Sequence, residues 1–198
     1  MFVTFEGPDW AGKSTQAALL AEALRAEGRE VVATREPGGT ALGEAIRGLL
    51  LHGRPMSAWA EAALFAAARA EHVEALIRPA LDRGADVVCD RYLDSSLVYQ
   101  GIARGLGLEA VLELNLTVTG GLLPDRTFVL ELGPAAARAR HGAELDRIEG
   151  EDEAFRAAVA AGYAGLAARF PERVVALDAS LPAETIASRV LDSLRALR

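Results

Sequence analysis

The chemistry this sequence could perform is concentrated in a few short stretches, and the first of them is the most specific. Gly7-Pro8-Asp9-Trp10-Ala11-Gly12-Lys13-Ser14 is a full match to G-x-x-x-x-G-K-[ST]. It follows the apolar run at 2–5 and precedes a helical pattern, which is the context the motif requires. In such a loop glycines let successive backbone N–H groups turn toward phosphate oxygens, and the following helix adds its positive end. Lys13 is then placed for the β and γ phosphates of ATP and the Ser14 hydroxyl for Mg²⁺. Gly7, Pro8, Asp9, Trp10, Ala11, Gly12, Lys13, Ser14 and Thr15 are the expected nucleotide-binding residues. Asp9 is the odd member: a carboxylate facing into an anion cradle would repel the triphosphate, so it is expected to face a second substrate.

The other stretches suit that second substrate. Asp90-Arg91 ends an apolar run, where a carboxylate can organise the magnesium hydration shell and a guanidinium can take a phosphate bidentately. Phe65, Arg69 and His72 share one helical face among alanines, an arrangement that can stack and hydrogen-bond a flat base, although His72 reads better as a structural residue. Ser96, Tyr99 and Gln100 line another helical face with hydroxyls, an amide and a ring, a set that could read a sugar. Arg138, Arg140 and Arg147 flank a charged, glycine-containing loop. A lid of that composition, at about 134–150, could bring guanidinium groups over the phosphates only when both substrates are present, excluding water.

Positioning these residues requires strands and helices in alternation. Apolar runs at 2–5, 31–34, 86–89, 127–132 and 174–177 read as five strands, with helical patterns near 15–26, 41–51, 57–82, 94–103, 108–119, 134–140, 151–170 and from 182 onward. Continuous apolar strands between helices predict an α/β fold, a parallel sheet covered on both faces, in one domain spanning 1–198. Ligands of such sheets sit beyond the carboxyl ends of the strands, where the singled-out loops fall.

Composition narrows the partners. A net charge of −7 argues against a nucleic acid polymer, whose binding needs a basic face. The one cysteine, Cys89, lies in an apolar run and reads as core. Neither a membrane-spanning run nor a signal peptide is evident, so a cytoplasmic protein is expected. Lys13 is the only lysine among the 21 Lys plus Arg. Amides are scarce, a mark shared by heat adaptation and by biased genome composition.

In combination these stretches resemble the bacterial thymidylate kinases over essentially the whole chain. The matching segments are Phe5-Glu6-Gly7 with the phosphate loop, Thr34-Arg35-Glu36-Pro37-Gly38-Gly39-Thr40, Phe65 through Arg69, Asp90-Arg91-Tyr92, Tyr99-Gln100-Gly101 and Glu144-Leu145-Asp146-Arg147-Ile148-Glu149, in the family's order. The resemblance implies a P-loop fold and transfer of the ATP γ-phosphoryl group to dTMP. It implies that Phe65 stacks on thymine, Arg69 bonds the base, Arg35 and Arg91 with the Pro37 loop help hold the acceptor phosphate, and Ser96 and Gln100 line the nucleoside pocket. By the same resemblance Tyr99 crowds the sugar 2′ position, and Asp9 meets the sugar hydroxyl or an acceptor-side metal shell. Trp10 stands where some members carry an arginine, so the catalytic guanidinium is expected from the lid, and a homodimer is expected. Two other readings fit the residues alone: a kinase of another small acceptor, and a nucleotide-dependent switch.

Overall fold

The computed structural model of the chain describes residues 1–133, 136 and 146–196. Five parallel strands, β1 Phe2–Glu6, β2 Val31–Arg35, β3 Asp86–Asp90, β4 Arg126–Glu131 and β5 Val174–Asp178, form one sheet in the order β2-β3-β1-β4-β5. The expected α/β class and the five parallel strands are both borne out. The strand that carries the phosphate loop sits in the centre, with Phe5 opposite Asp90 on one side and Phe128 on the other.

Alternation along each strand sorts side chains onto two faces. Val3, Phe5, Val88, Phe128 and Leu130 pack with helices α1 (Lys13–Ala26) and α8 (Ala183–Arg195). Phe2, Val87, Cys89 and Val129 pack on the opposite face with the remaining helices. These are α2 Ala41–His52, α3 Ala58–His72, α4 Arg78–Asp82, α5 Leu93–Ser96, α6 Leu108–Thr119 and α7 Glu153–Arg169. Cys89 is buried there, as its apolar context indicated.

The helix starts follow local chemistry. Ser57 accepts from the Ala60 N–H at 3.3 Å and begins α3, Thr40 caps α2 in the same way, and Asp152 caps α7 through the Phe155 N–H. The long helix expected over 57–82 is interrupted by a π-helical turn, Val73–Ile77, immediately before Pro79. Proline has no N–H to return to the carbonyl one turn back, and the ladder re-registers just ahead of it, with the Arg78 N–H on the Val73 carbonyl. The helix expected at 94–103 is likewise α-helical only to Ser96 and continues as a π-helix, Leu97–Ala103. At Gly162 α7 rests directly on this segment, where an added Cβ would lie 3.0 Å from Val98. The helix expected at 134–140 and most of the charged loop after it, with Arg138 and Arg140, lie outside the described residues.

Candidate active site

The phosphate loop joins β1 to α1, and its geometry is imposed by the sheet. A Cβ at Gly7 would stand 2.5 Å from the Leu130 carbonyl oxygen on β4, and φ there is 135°, so only glycine fits. Trp10 takes a left-handed φ of 68°, a conformation that costs a side-chain-bearing residue about 1 kcal/mol. Gly12 precedes α1 with no side chain capping the first turn, so the helix N–H groups remain for an anion. Lys13 lies back across the loop, its Nζ donating to the Pro8 carbonyl at 2.7 Å. Burial, and then the nearby Arg91 charge, lower its pKa to about 8. Ser14 Oγ donates to Asp90 Oδ2 at 2.5 Å, so the two residues expected at the metal are already paired. They offer hard oxygen ligands, the chemistry that suits Mg²⁺ held through water.

Arg91 ties this loop to the second half of the cleft. Its backbone is left-handed, with φ 71°, which turns the side chain back over the end of β1. Nη1 donates to the Gly7 carbonyl at 3.1 Å, to Ser95 Oγ at 3.1 Å and to the Tyr163 hydroxyl at 3.0 Å, while Nη2 donates to Asp9 Oδ1. Tyr99 donates to the other Asp9 oxygen, and the Arg91 guanidinium lies 5.4 Å from the Tyr99 ring centroid. Asp9 therefore turns away from the anion cradle toward the second half, as the repulsion argument anticipated. Burial pushes its pKa up, but Arg91 and Lys13 more than offset this and hold it below the ordinary value.

Beneath Arg91 is a buried carboxylate that the motif reading did not assign a task. Glu6 Oε1 accepts from the backbone N–H groups of Tyr92 and Ser95, and Oε2 from the Ser95 and Tyr163 hydroxyls. Burial, reinforced by the Asp94 charge, raises its pKa to about 7 against the opposing pull of Arg91. Asp94 is itself matched by Arg173 at 2.6 and 2.8 Å.

Beside Arg91 opens a cleft, lined among others by Asp9, Pro37, Phe65, Arg69, Arg91, Ser96, Tyr99 and Gln100. Seven of the second-substrate candidates, Arg91 among them, thus meet Asp9 in a single concavity. Arg69 is buried and donates from Nε to Glu36 Oε2 at 2.7 Å, from Nη1 to Ser96 Oγ at 3.0 Å and to Asn115 Oδ1, and from Nη2 to the Tyr92 carbonyl at 3.0 Å. His72 is wholly buried between Glu36 and Thr34, the structural role expected of it.

Two candidates stand elsewhere. Arg35 is half-exposed, bonds Glu44 Oε1 at 2.9 Å and does not line the cleft, whereas Arg47, held by the Pro37 carbonyl, does. Arg147, taken in sequence as a lid arginine, is docked at the base of that segment: Nε donates to the Leu50 carbonyl and Nη2 pairs with Glu61 Oε2 at 2.8 Å. Glu36, Glu61, Ser95, Arg104, Asp146, Glu149 and Tyr163 were not singled out. Glu36, Asp146 and Glu149 lie inside segments that carry the family resemblance, and Glu61 left a signal of its own, lying one helical turn before Phe65 on the face that carries Phe65 and Arg69.

With the geometry in view, comparison with known proteins is informative. The family model described as Thymidylate kinase matches residues 5–190. A thymidylate kinase from an Exiguobacterium species is 48% identical over 196 residues, covering 97% of this chain and 92% of the relative. One from a Synechococcus species is 51% identical over 192 residues, covering 96% and 93%. Among solved structures, the thymidylate kinase of Ehrlichia chaffeensis superposes with a TM-score of 0.83 at 33% identity, with 98% of each chain covered.

Proposed function

The chain belongs to the thymidylate kinase family, and from that membership we propose how the residues of its cleft divide the work. The reaction is phosphorylation of dTMP to dTDP with ATP. The acceptor oxygen is already anionic near neutral pH, so the demand on the protein is to bring two polyanions into line and offset their repulsion. One observation carries the assignment of roles: the lysine loop and the base-sized cleft meet at Arg91, which bonds the Gly7 carbonyl and Asp9 together.

On this reading residues 7–15 hold ATP, with Lys13 on the β and γ phosphates. Ser14 and Asp90 would hold the Mg²⁺ that accompanies ATP, and the ion would neutralise phosphate charge. Arg91 grips the dTMP phosphate, Phe65 stacks on thymine, and Arg69, Ser96 and Gln100 face the nucleoside. Pro37 closes the acceptor-phosphate side with Arg47, and Arg35 approaches only through the Glu44 pair. Tyr99, held between Asp9 and Arg91, fills the space beside the sugar 2′ carbon. A lid at about 134–150 brings Arg138 and Arg140 over the phosphates, within a single domain, and Arg147 anchors its base.

A homodimer accords with the exposed Leu42 and Leu49 on α2 and Trp59 on α3. No helix among the described residues is long and apolar enough to cross a membrane, and a cytoplasmic site of action fits a consumer of free nucleotides. The test is ADP release with Mg²⁺ and ATP across dTMP, dUMP, UMP, CMP and AMP. Turnover highest with dTMP is expected, and slow hydrolysis indifferent to every acceptor would overturn the assignment of roles.

A further inference from the structure

Glu61 is a carboxylate with 1% of its surface exposed, bonded to the cleft residue Gln100 and surrounded by donors. Oε1 accepts from Gln100 Nε2 at 2.9 Å and from Arg104 Nε at 3.2 Å, Oε2 accepts from Arg104 Nη2 at 3.1 Å, and Arg147 Nη2 forms an ion pair with Oε2 at 2.8 Å. Burial pushes its pKa up, but the bonds from Arg104, Gln100 and Arg147 prevail and hold it below the ordinary value. An ionised carboxylate only accepts hydrogen bonds, so the end of the Gln100 amide facing it has to be the NH₂ group. The amide oxygen is thereby forced to the opposite end, and the Nε2 bond to Glu61 is the one hydrogen bond of the Gln100 side chain among the described residues. Gln100 lines the cleft beside Arg69, whose bonds to Glu36, Ser96, Asn115 and Tyr92 occupy four of its five N–H groups. One N–H donor and one carbonyl acceptor are left for whatever base enters.

We propose that Glu61 is a positioning residue for base selection: by holding the Gln100 amide nitrogen it presents the amide oxygen to the base, so the edge met there must offer an N–H beside a carbonyl. Thymine does so with N3–H and O4. Cytosine offers the reverse, a bare N3 beside an amino group, and would set acceptor against acceptor and donor against donor. The inference rests on the dTMP reading above and adds to it the side chain that fixes the polarity of the contact. In a buried site a mismatched pair is costly, because each group has given up water for no partner.

The measurement is the ratio of kcat/KM for dTMP to that for dCMP. Glu61→Gln keeps the shape but replaces a pure acceptor with an amide that can also donate, so Gln100 is free to turn over. The ratio is expected to fall about tenfold or more, through a higher KM for dTMP and a lower one for dCMP. A merely structural role for Glu61 would lower turnover of both nucleotides alike, and an unchanged ratio in folded protein overturns the proposal. Arg104→Met removes one of the two ion pairs of Glu61 and leaves the Arg147 pair and the Gln100 amide in place, and is expected to lower the melting temperature while leaving the ratio alone. Should Glu61→Gln fail to fold, the wild-type protein decides the matter with dTMP methylated at N3, which lacks the N–H. Turnover about tenfold poorer than dTMP is expected, and equal turnover overturns the proposal. Failure of the wild-type protein to phosphorylate dTMP at all would overturn the kinase reading and this inference together.

Discussion

The two halves of the cleft are built on opposite plans. The half proposed for the donor is nine consecutive residues, 7–15, that offer mostly backbone N–H groups and a single ammonium, which lies on its own loop carbonyl. The acceptor half draws on β1, β3, α3, the π-helix and α7, and its cations are engaged beforehand: Arg91 by Asp9, Arg69 by Glu36, Arg104 and Arg147 by Glu61. A triphosphate brings enough charge to draw the lysine off its loop carbonyl, whereas a base and a monophosphate must be measured, and measurement needs side chains that do not move. Fixing a buried guanidinium requires a buried carboxylate close by, because a lone charge in that setting would cost several kcal/mol.

Substitutions on the two sides should therefore fail differently. The largest effect is expected for Lys13→Ala, which removes the one cation of the donor loop. Steady-state kcat should fall by a factor on the order of 10² to 10³ with KM for dTMP little changed. A near-normal kcat would remove the donor half from the comparison. Arg91→Ala should act on the other half. Loss of a charge-assisted contact to phosphate predicts kcat/KM for dTMP down by about 10², with KM for ATP within a few-fold of normal. Because Arg91 has φ 71°, Arg91→Gly relaxes the backbone, and equal losses in both variants would show that the guanidinium and not the fold is responsible.

Proton titration separates the halves again. The Lys13 pKa in the free protein is lowered to about 8 by burial and by Arg91. Below that pH the lysine is charged and binds phosphate, and above it the charge is lost. kcat/KM for ATP should thus decline above pH 8, approaching about tenfold per unit, since this parameter reports the free enzyme. The Arg91 pKa moves the other way, well above its ordinary value: burial lowers it, but the surrounding Tyr99, Asp9, Tyr163 and Glu6 prevail. The acceptor side should show no matching loss, and a parallel decline in dTMP binding over the same range would mean that the two halves share the titrating group.

How far each half could be read from sequence follows from the same difference. The proposed donor loop is contiguous, so one motif covers all of it but Thr15, and Gly7 at the end of β1 has no alternative under the Leu130 carbonyl. The parallel sheet was legible because each strand is an apolar run between helical patterns, buried along most of its length in β1, β3 and β4 and only partly in the edge strands β2 and β5. On the acceptor side residues that line the cleft could be found from helical spacing, as Phe65 and Arg69 were. The residues that hold them could not. Glu36 reaches Arg69 over 33 positions and Tyr163 reaches Glu6 over 157, and neither pairing leaves a local period. The π-helix at Leu97–Ala103 also escaped pattern reading, since an α-helical period accounts for Ser96, Tyr99 and Gln100 until the bonds themselves are seen. Arg35 shows the converse: the loop that carries it was recognised, but its own side chain is engaged by Glu44 outside the cleft.

The smallest expected effect probes whether pre-engagement matters by degrees. Arg91 Nη1 has two hydrogens and three acceptors, the Gly7 carbonyl, Ser95 Oγ and the Tyr163 hydroxyl, so each bond is partly shared. Tyr163→Phe removes one acceptor and leaves the other two, along with the Asp9 pair on Nη2. The ring stays in place in the core, and Glu6 keeps its bonds from Ser95 and the Tyr92 N–H. KM for dTMP is expected to rise by only about two- to tenfold, with kcat and KM for ATP unchanged. A loss as deep as that of Arg91→Ala would mean that the hydroxyl, and not the loop carbonyl, sets the guanidinium. No change at all would mean that Asp9 and Gly7 suffice, and that the carboxylate beneath serves the fold alone.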